Sequence, residues 1–554
     1  MQAEFSAGGR EEQWGALGRA TFDLLVIGAG ITGSGIARDA AGRGLNVAVV
    51  DAYDVGGGTS SRSSRLVHGG LRYLETFDFD LVFEALRERR RLLELAPHLV
   101  HPLAFLFPVY DGDPTSLLKL TAGMWLYETL SLFRSPRRHR IMRRGGLLSE
   151  EPLLRSAGLN GGALYYDAQV DDARLTLAVA RAAHDSGSTI VTHAGVTELS
   201  FPATGPATAV VEDRLEGRKT AVRARVVLNA TGPWSDRVRA IADPAATSRL
   251  RTTKGVHVIV ERDRLANRNA IIFRSPVDGR VMFVLPWGDF TYVGTTDTEF
   301  AGDPGDAHAD PADVEYLLKS ANAIFPTANL EIPDVVATWA GVRPLLAPAS
   351  AEQLSESATS REHEIWRDQS GLMNIAGGKL TTYRSMAAEA VDRVAEFLRT
   401  EYRETTGECF TELLPLPGAD DFDEGVLRQR AQRLGLSTAS LEHLSGRYGS
   451  DTGTVLDLVE SDPDLGSVVL AGRPYLRAEV VHAVRHEMAL TLEDVLRRRL
   501  QLFYEASDGG LAAARQMAEL IAGEEGLGWD AAMIDRQVEA YREAVRQTRP
   551  ERLL

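Results

Sequence analysis

The stretch FDLLVIGAGITGSGIARDAAGRGLNVAVVDA, residues 22–52, restricts this chain to few architectures. Leu24–Ile27 is an apolar run of buried-strand type, and Gly28, Gly30 and Gly33 follow as G-x-G-x-x-G. A helix of small residues comes next, and a second apolar run, LNVAVV, closes on Asp51. In a parallel βαβ unit these glycines permit a tight turn, close approach of backbone to a pyrophosphate, and tight helix–strand packing. N–H groups at the helix start meet the phosphates, and an acid 21 residues beyond Gly30 reaches a ribose diol. A glycine triplet alone is common to many folds. Strand, helix, second strand and terminal acid in this order specify a dinucleotide site in an α/β fold.

Three further segments decide which dinucleotide. GGGTSSRSSRLVHGGLRYLE (56–75) is rich in small and hydroxyl residues where an NAD-binding fold usually continues to its next strand. Such a segment runs along the far half of a dinucleotide, and Thr59, Ser60, Ser64, Gly69 and Gly70 are its candidate contacts. ARVVLNATGPWSD (224–236) ends a strand in Ala230-Thr231-Gly232, similar to the ATG turn of two-dinucleotide-domain flavoproteins; Val196 is assigned to the same lining. IAGGKLTTYR (375–384) is a strand turning sharply into a helix. Its glycine pair lets backbone pass tightly, so the N–H groups of Lys379, Leu380 and Thr381, next to Gly378, would face the flavin N1/C2=O edge. Reduction places negative charge there, which a helix start favours. Lys379, one of five lysines in the chain, adds charge aimed either at that edge or at a substrate phosphate. The competing reading is an ordinary helix entry capped by Thr381 or Thr382. Passes spread over about 350 residues fit an embedded FAD better than an exchangeable NAD.

With 554 residues, 44% hydrophobic and 25% charged, the chain is long enough for two or three globular domains. Residues 1–20 read as a flexible arm. Residues 21–410 read as a discontinuous FAD-binding domain of Rossmann-like type with an inserted β-rich substrate domain (about 80–165 and 245–350). Within the insert, β-rich runs at 251–300 separated by DG and GD turns predict antiparallel strands. LLPLPG (413–418) marks a linker, and apolar residues three and four apart predict a helical domain over 411–554. A net charge of -16 argues against nucleic-acid binding. The single cysteine, Cys409, excludes an internal disulfide and reads as a buried small residue. No Cys/His cluster suggests a metal, no run approaches the ~20 apolar residues of a spanning helix, and the polar N-terminus does not read as a secretory signal. A cytoplasmic protein is expected. Oligomeric state is not encoded in any pattern, and a homodimer is left open.

VIGAGITGSGIARDAAGRG, SSRLVHGGLRYLE, KGVH (254–257), VGTTDTE (293–299), WAGVRPL (339–345), IAGGKLTTYR and EVVHAVRHEMALTLEDVLRRR (479–499) together resemble the FAD-dependent glycerol-3-phosphate dehydrogenases, over about residues 20–530. The resemblance implies oxidation of sn-glycerol 3-phosphate to dihydroxyacetone phosphate. It also implies electron transfer to a membrane quinone and peripheral association with the cytoplasmic face of the membrane. A glycerol-3-phosphate oxidase using oxygen, or an amine or amino-acid oxidase of the same fold, are the alternatives.

Such a reaction needs a base for the hydroxyl proton and planar cations for a dianionic phosphate. The resemblance places Arg72 (GGLRY) and Arg343 (GVRPL) in the substrate site, and Arg361 (SREHEI) through a looser match across a long loop. Tyr73 either bonds substrate or stacks near flavin, or is a core tyrosine. His257 in KGVH is the expected general base, an imidazole titrating near neutrality. His68 reads as a structural residue on the cofactor side, and Lys254 either adds potential or faces solvent. Residues 115–144 combine an apolar helix (Leu118, Met124, Trp125, Leu126, Leu130) with Arg134, Arg137, Arg138, Arg140, Arg143 and Arg144. That pattern suits an anionic membrane surface, or equally a core helix followed by a solvated arginine loop.

Overall fold

Strand Thr21–Ile27 is buried along most of its length because parallel partners pair with both of its edges. Val47–Val50 lies on one side and Lys219–Asn229 on the other; Thr189–Val191 and Met373–Gly377 extend the parallel sheet outward. The register aligns Ile27 with Val50 and Asn229, and Asn229 with Asn374. The strand ends that lead to Gly28, Asp51, Ala230 and Gly378 therefore gather at one edge, where ligands of open parallel sheets bind. Helices Ile31–Gly42, Asp172–Asp185 and Tyr383–Tyr402 cover this sheet. The computed structural model describes residues 3–74, 77–347, 363–420 and 423–552, without the side chains of Arg72 and Arg552.

The second sheet is mainly antiparallel, with Ala270–Arg274 paired parallel to Val100–Tyr110. Leu250–Glu261 lies between Phe290–Gly294 and Val335–Leu346, both antiparallel to it. Val281–Trp287, Ala270–Arg274, Val100–Tyr110 and Leu159–Val170 follow across the sheet. The antiparallel expectation for 251–300 is met, and strands 100–110 and 159–170 join the same sheet across the intervening chain.

The N-terminal segment is not an arm. Arg10–Arg19 forms a helix whose Trp14 and Leu17 are buried against Leu25 and Val227 of the parallel sheet. Arg10 donates to Asp213 at 2.9 Å and to the Thr192 carbonyl. One apolar pair three residues apart and one buried ion pair outweigh the polar composition on which the expectation rested.

The chain beyond residue 423 forms helices, as expected. Part of this region has a core of its own around Leu444, Val455 and Leu476. The later part does not: Leu496, Phe503 and Tyr541 share a core with Ile259, Tyr292 and Trp339 of the antiparallel sheet. The linker is also docked, with Leu416 buried and its N–H donated to the Leu95 carbonyl at 2.9 Å. Cys409 is half-buried rather than buried, with its Sγ 3.3 Å from the Thr411 hydroxyl.

Candidate active site

A groove of 380 Å³ runs along the edge where the parallel strands end. Gly28, Gly30, Asp51, Thr59, Ser60, Val196, Ala230, Gly232, Gly378, Lys379 and Leu380 line it. A Cβ on Gly28 would stand 2.7 Å from the Ala230 carbonyl, and one on Gly33 would overlap the Gly28 carbonyl. Gly33 is thus required for helix–strand packing and does not itself face the groove. The Asp51 carboxylate accepts N–H bonds from Ala29 at 2.6 Å and Tyr53 at 2.8 Å. Burial pushes its pKa up to about 6 despite these bonds. The Ser60 hydroxyl accepts from the Ile31 N–H at 3.0 Å, and Thr59 donates to the Val342 carbonyl at 2.6 Å, tying the hydroxyl-rich loop to both sheets. A side-chain-free cradle at a helix start, with a carboxylate at the end of the second strand, fits the dinucleotide half of FAD.

The groove continues into a second cavity of 220 Å³, sharing Thr59, Ser63, Pro344, Gly378, Lys379 and Leu380 with it. Arg62, Ser64, His68, His257, Arg343 and Thr381 are among its other lining residues. Gly377 and Gly378 both adopt positive φ (82° and 79°), which turns the strand into the short helical turn Leu380–Thr382 and then helix Tyr383–Tyr402. The Thr381 hydroxyl accepts from the His68 N–H at 3.2 Å, joining the two glycine-containing loops. The Lys379 ammonium lies 3.7 Å from the centre of the Tyr73 ring, a cation–π contact that positions Tyr73 as the cover of the lysine.

His257 is 2% exposed. Its Nε2 lies 2.8 Å from the Ser64 hydroxyl, and its ring stacks on Trp339 at 4.8 Å. Cross-strand register produces this: His257 faces Trp339 on one neighbour and Gly294 on the other, where any side chain would strike the imidazole. Burial, then Arg343, then Arg65 push its pKa well below the ordinary value. That direction favours the neutral imidazole and runs against the expectation of titration near neutrality. Arg343 extends from strand Val335–Leu346, donating to Asp297 at 2.9 Å, the Thr295 hydroxyl at 3.0 Å and the Thr296 carbonyl at 3.2 Å.

Several predicted residues lie elsewhere. Gly69 faces Leu86 and Tyr127, its N–H donated to Asp167 at 3.3 Å, and Gly70 lines a different cavity. Neither borders the groove, because the turn after His68 leads away toward helix Phe79–Leu95. Lys254 neither faces solvent nor adds free potential: it is buried and paired with Asp310 at 2.8 Å and Asp313 at 2.6 Å. The Arg72 side chain and all of Arg361 lie outside the described residues.

Sequence reasoning missed a set of supporting residues. Buried Arg65 lies 4.1 Å from the Trp287 ring and 4.8 Å from the Trp339 ring, and donates to Gln501 of the helical region at 2.8 Å. Ser63 donates N–H and O–H bonds to buried Asp172. Thr295 and Asp297 fall within VGTTDTE and Trp339 within WAGVRPL, so those motifs carried the signal without revealing the pairing.

A third cavity, of 590 Å³, adjoins the second and shares Ser64, Leu66, His68 and Arg343 with it. Its remaining wall is largely apolar, including Leu71, Phe77, Phe105, Phe107, Met124 and Phe283. Helix Leu117–Leu130 forms one side and buries Leu120 and Met124, Leu126 lines the cavity while staying partly exposed, and Leu118 (81% exposed) and Trp125 (56%) face outward. The helix is apolar on both faces rather than amphipathic. Leu132 and Phe133, next in the chain, are also exposed, as are Arg134, Arg137, Arg138, Arg140, Arg143 and Arg144 of the segment that follows. Among the described residues no helix is long and apolar enough to cross a membrane.

Comparison with known proteins gives a consistent result. A family model described as FAD dependent oxidoreductase matches residues 23–384, and one described as the C-terminal domain of alpha-glycerophosphate oxidase matches residues 409–534. Glycerol-3-phosphate dehydrogenase 2 of Mycobacterium bovis is 42% identical over 540 residues, 96% of this chain and 89% of that one. Aerobic glycerol-3-phosphate dehydrogenase of Staphylococcus haemolyticus is 36% identical over 493 residues, 87% of each. Among solved structures, glycerol-3-phosphate dehydrogenase from Bacillus halodurans complexed with FAD superposes with a TM-score of 0.79 at 30% identity, covering 98% of both chains.

Proposed function

The chain belongs to the FAD-dependent glycerol-3-phosphate dehydrogenase family, and we propose that its three connected cavities divide the oxidation of sn-glycerol 3-phosphate between them. The glycine-lined groove holds FAD, which when bound supplies a hydride acceptor at the flavin ring. The 220 Å³ cavity holds the substrate, and the apolar cavity beside it admits the electron acceptor. The observation that carries this reading is the convergence of His257, Arg343 and Lys379 on one small cavity continuous with the groove.

Arg343 takes the substrate phosphate with its planar guanidinium. Asp297, Thr295 and Thr296 hold that guanidinium in place beforehand, so little side-chain freedom is lost on binding. The substrate hydroxyl takes the position at His257 Nε2 now held by the Ser64 hydroxyl, and the imidazole accepts its proton. A pKa held low by burial keeps that nitrogen's lone pair available, and stacking on Trp339 fixes the ring. Lys379 and the backbone of 379–381 stabilise negative charge gathering at this end of the groove. Tyr73 shields the lysine from water. Arg72 and Arg361 remain assigned to the phosphate by resemblance.

The acceptor is a membrane quinone. The adjoining cavity is apolar, its inner end reaches Arg343 and His68, and its outer wall is the helix bearing exposed Leu118, Trp125 and Leu126. Six exposed arginines in the segment after that helix, at about 1 kcal/mol each near an anionic leaflet, hold the protein peripherally on a membrane. The oxidase reading has one point in its favour, the description of the model matching residues 409–534.

Anaerobic titration of the FAD-loaded protein with sn-glycerol 3-phosphate should bleach the flavin absorbance in proportion to substrate. A spectrum that stays oxidised overturns the assignment. With anionic vesicles containing a quinone, turnover should exceed that in air and release little peroxide; stoichiometric peroxide would establish oxygen as the acceptor. Trp125→Glu with Leu118→Glu should abolish vesicle binding while leaving turnover with a soluble dye acceptor intact.

A further inference from the structure

Arg62 lines the reaction cavity together with Ser63 and Ser64, but its charged neighbours are Arg497, Glu493 and Arg498 of the helical region. It also borders another cavity, of 390 Å³, between the loop 53–62 and the helical segments Asp494–Arg499 and Ala531–Arg546. Most charges around this cavity are already matched. Arg499 grips both oxygens of Asp54 at 2.6 and 3.0 Å, and Arg498 binds Asp54 at 2.6 Å. Arg497 binds Glu493 at 2.8 Å, His193 meets Asp494 at 3.0 Å, and Glu543 pairs with Arg546 at 2.7 Å.

Arg62 is different. Among the described residues its guanidinium has no hydrogen-bond acceptor and no carboxylate partner, and its Nε is buried with nothing to receive the proton. Burial, then Arg497, pull its pKa down to about 10, so the charge is costly yet retained at neutral pH. An unmatched cation facing a partly enclosed cavity favours an anion as occupant. Further donors face the same space. Gln537 uses its side-chain oxygen to accept from the Leu492 N–H at 3.1 Å, which leaves its amide hydrogens to donate. Thr491 accepts from the Asp494 N–H at 3.1 Å, which leaves its hydroxyl hydrogen to donate. Donors distributed around one guanidinium suit an oxyanion with several acceptor oxygens.

We propose that this cavity binds a phosphate-bearing small anion, free phosphate or a phosphomonoester, through Arg62, which lines both this cavity and the reaction cavity. The ligand ties Arg62 to the helical region and thereby steadies Ser64, whose hydroxyl meets His257 at 2.8 Å. Occupancy accordingly acts on turnover, whereas phosphate in the reaction cavity competes with substrate.

The test titrates inorganic phosphate into the FAD-loaded protein against chloride at matched ionic strength, following heat of binding, kcat and KM. The wild-type protein should show a change in kcat in addition to any competitive rise in KM. Arg62→Gln should weaken the binding tied to kcat at least tenfold, and Arg62→Lys, which keeps the charge, should retain most of it. A purely competitive effect, or an Arg62→Gln protein that responds like wild type, overturns the proposal. If Arg62→Gln does not fold, the Arg62→Lys titration and the position of phosphate in soaked crystals decide: density between residue 62 and Gln537 supports the site, and density confined to the reaction cavity refutes it. That crystal readout needs no turnover, so it separates this site from the assignment of the reaction. Glycerol 2-phosphate in a parallel titration identifies the source. Binding tenfold tighter than phosphate marks a phosphomonoester site, and equal or weaker binding marks free phosphate.

Discussion

The groove and the reaction cavity meet at residues 378–380, yet they are made of different material. The groove is walled largely by backbone at its floor, where Gly28, Gly30, Ala230, Gly232 and Gly378 present main chain, and Asp51 presents a carboxylate at the end of the second strand. The reaction cavity is walled by long side chains on antiparallel strands, each held by a partner far away in sequence. Arg343 depends on Asp297, His257 on Ser64 and Trp339, and Trp339 packs beside an arginine bonded to Gln501. The first kind of site is vulnerable to any added atom. The second tolerates added atoms at its edges and is vulnerable to the loss of one partner. The distinction suits the tasks, since a resident cofactor needs shape, whereas a turning-over substrate needs charge and a proton acceptor held at fixed positions.

Gly33→Val tests the groove most severely, because its side chain would enter the Gly28 carbonyl. The purified variant should be colourless or insoluble; full FAD content would break the comparison. His257→Gln should lower kcat about 10³-fold with FAD fully retained. The wild-type kcat/KM profile should show no His257 limb near pH 6.5, because the depressed pKa puts protonation further to the acid side. A limb near neutrality that vanishes in the variant would show a much less buried ring. Arg343→Ala should reduce kcat/KM about 10²-fold, mainly through KM, again with FAD bound. Loss of FAD without change in KM would assign Arg343 to the groove instead.

Asp51→Asn sharpens the contrast at smaller amplitude. The folded pKa of about 6 exceeds the ordinary carboxylate value, so the native state holds this proton more tightly than the unfolded chain. Its stabilising contribution is complete below about pH 4 and is lost as pH rises through about 6. The FAD-free wild type should therefore lose stability between pH 5 and pH 7 relative to the Asn variant, which has no such titration, while FAD affinity falls in the variant. Thermal unfolding of the FAD-free proteins at the two pH values checks both signs. Smallest of all, Gln501→Leu should lower kcat a few-fold, about 1 kcal/mol, by releasing Arg65.

The groove was legible in sequence because each of its parts is local: a strand, its glycine turn and the helix after it sit within one short stretch. The reaction cavity was legible only as a set of types. KGVH, VGTTDTE and GVRPL were recognisable, but Arg343 opposite Asp297 and His257 against Trp339 follow from strand pairings that no short-range periodicity encodes. The same limit explains Gly69 and Gly70, which belong to the right motif but sit beyond the point where the chain turns away. Helix Arg10–Arg19 was hidden for another reason, since two buried side chains in a polar segment leave almost no periodic trace.

The carbonyl of Thr548 receives the N–H of Thr338, 210 residues earlier, on the strand that carries Trp339 and Arg343. A ribosome delivers these partners in order, with the catalytic strands emerging long before the residues that brace them. During synthesis the glycine turn is available early, while the wall behind the histidine stays unsupported until residue 548 has left the exit tunnel. Competence for turnover thus arrives last, and a nascent or prematurely stopped product carries the means to recognise its coenzyme without a finished chamber in which to use it.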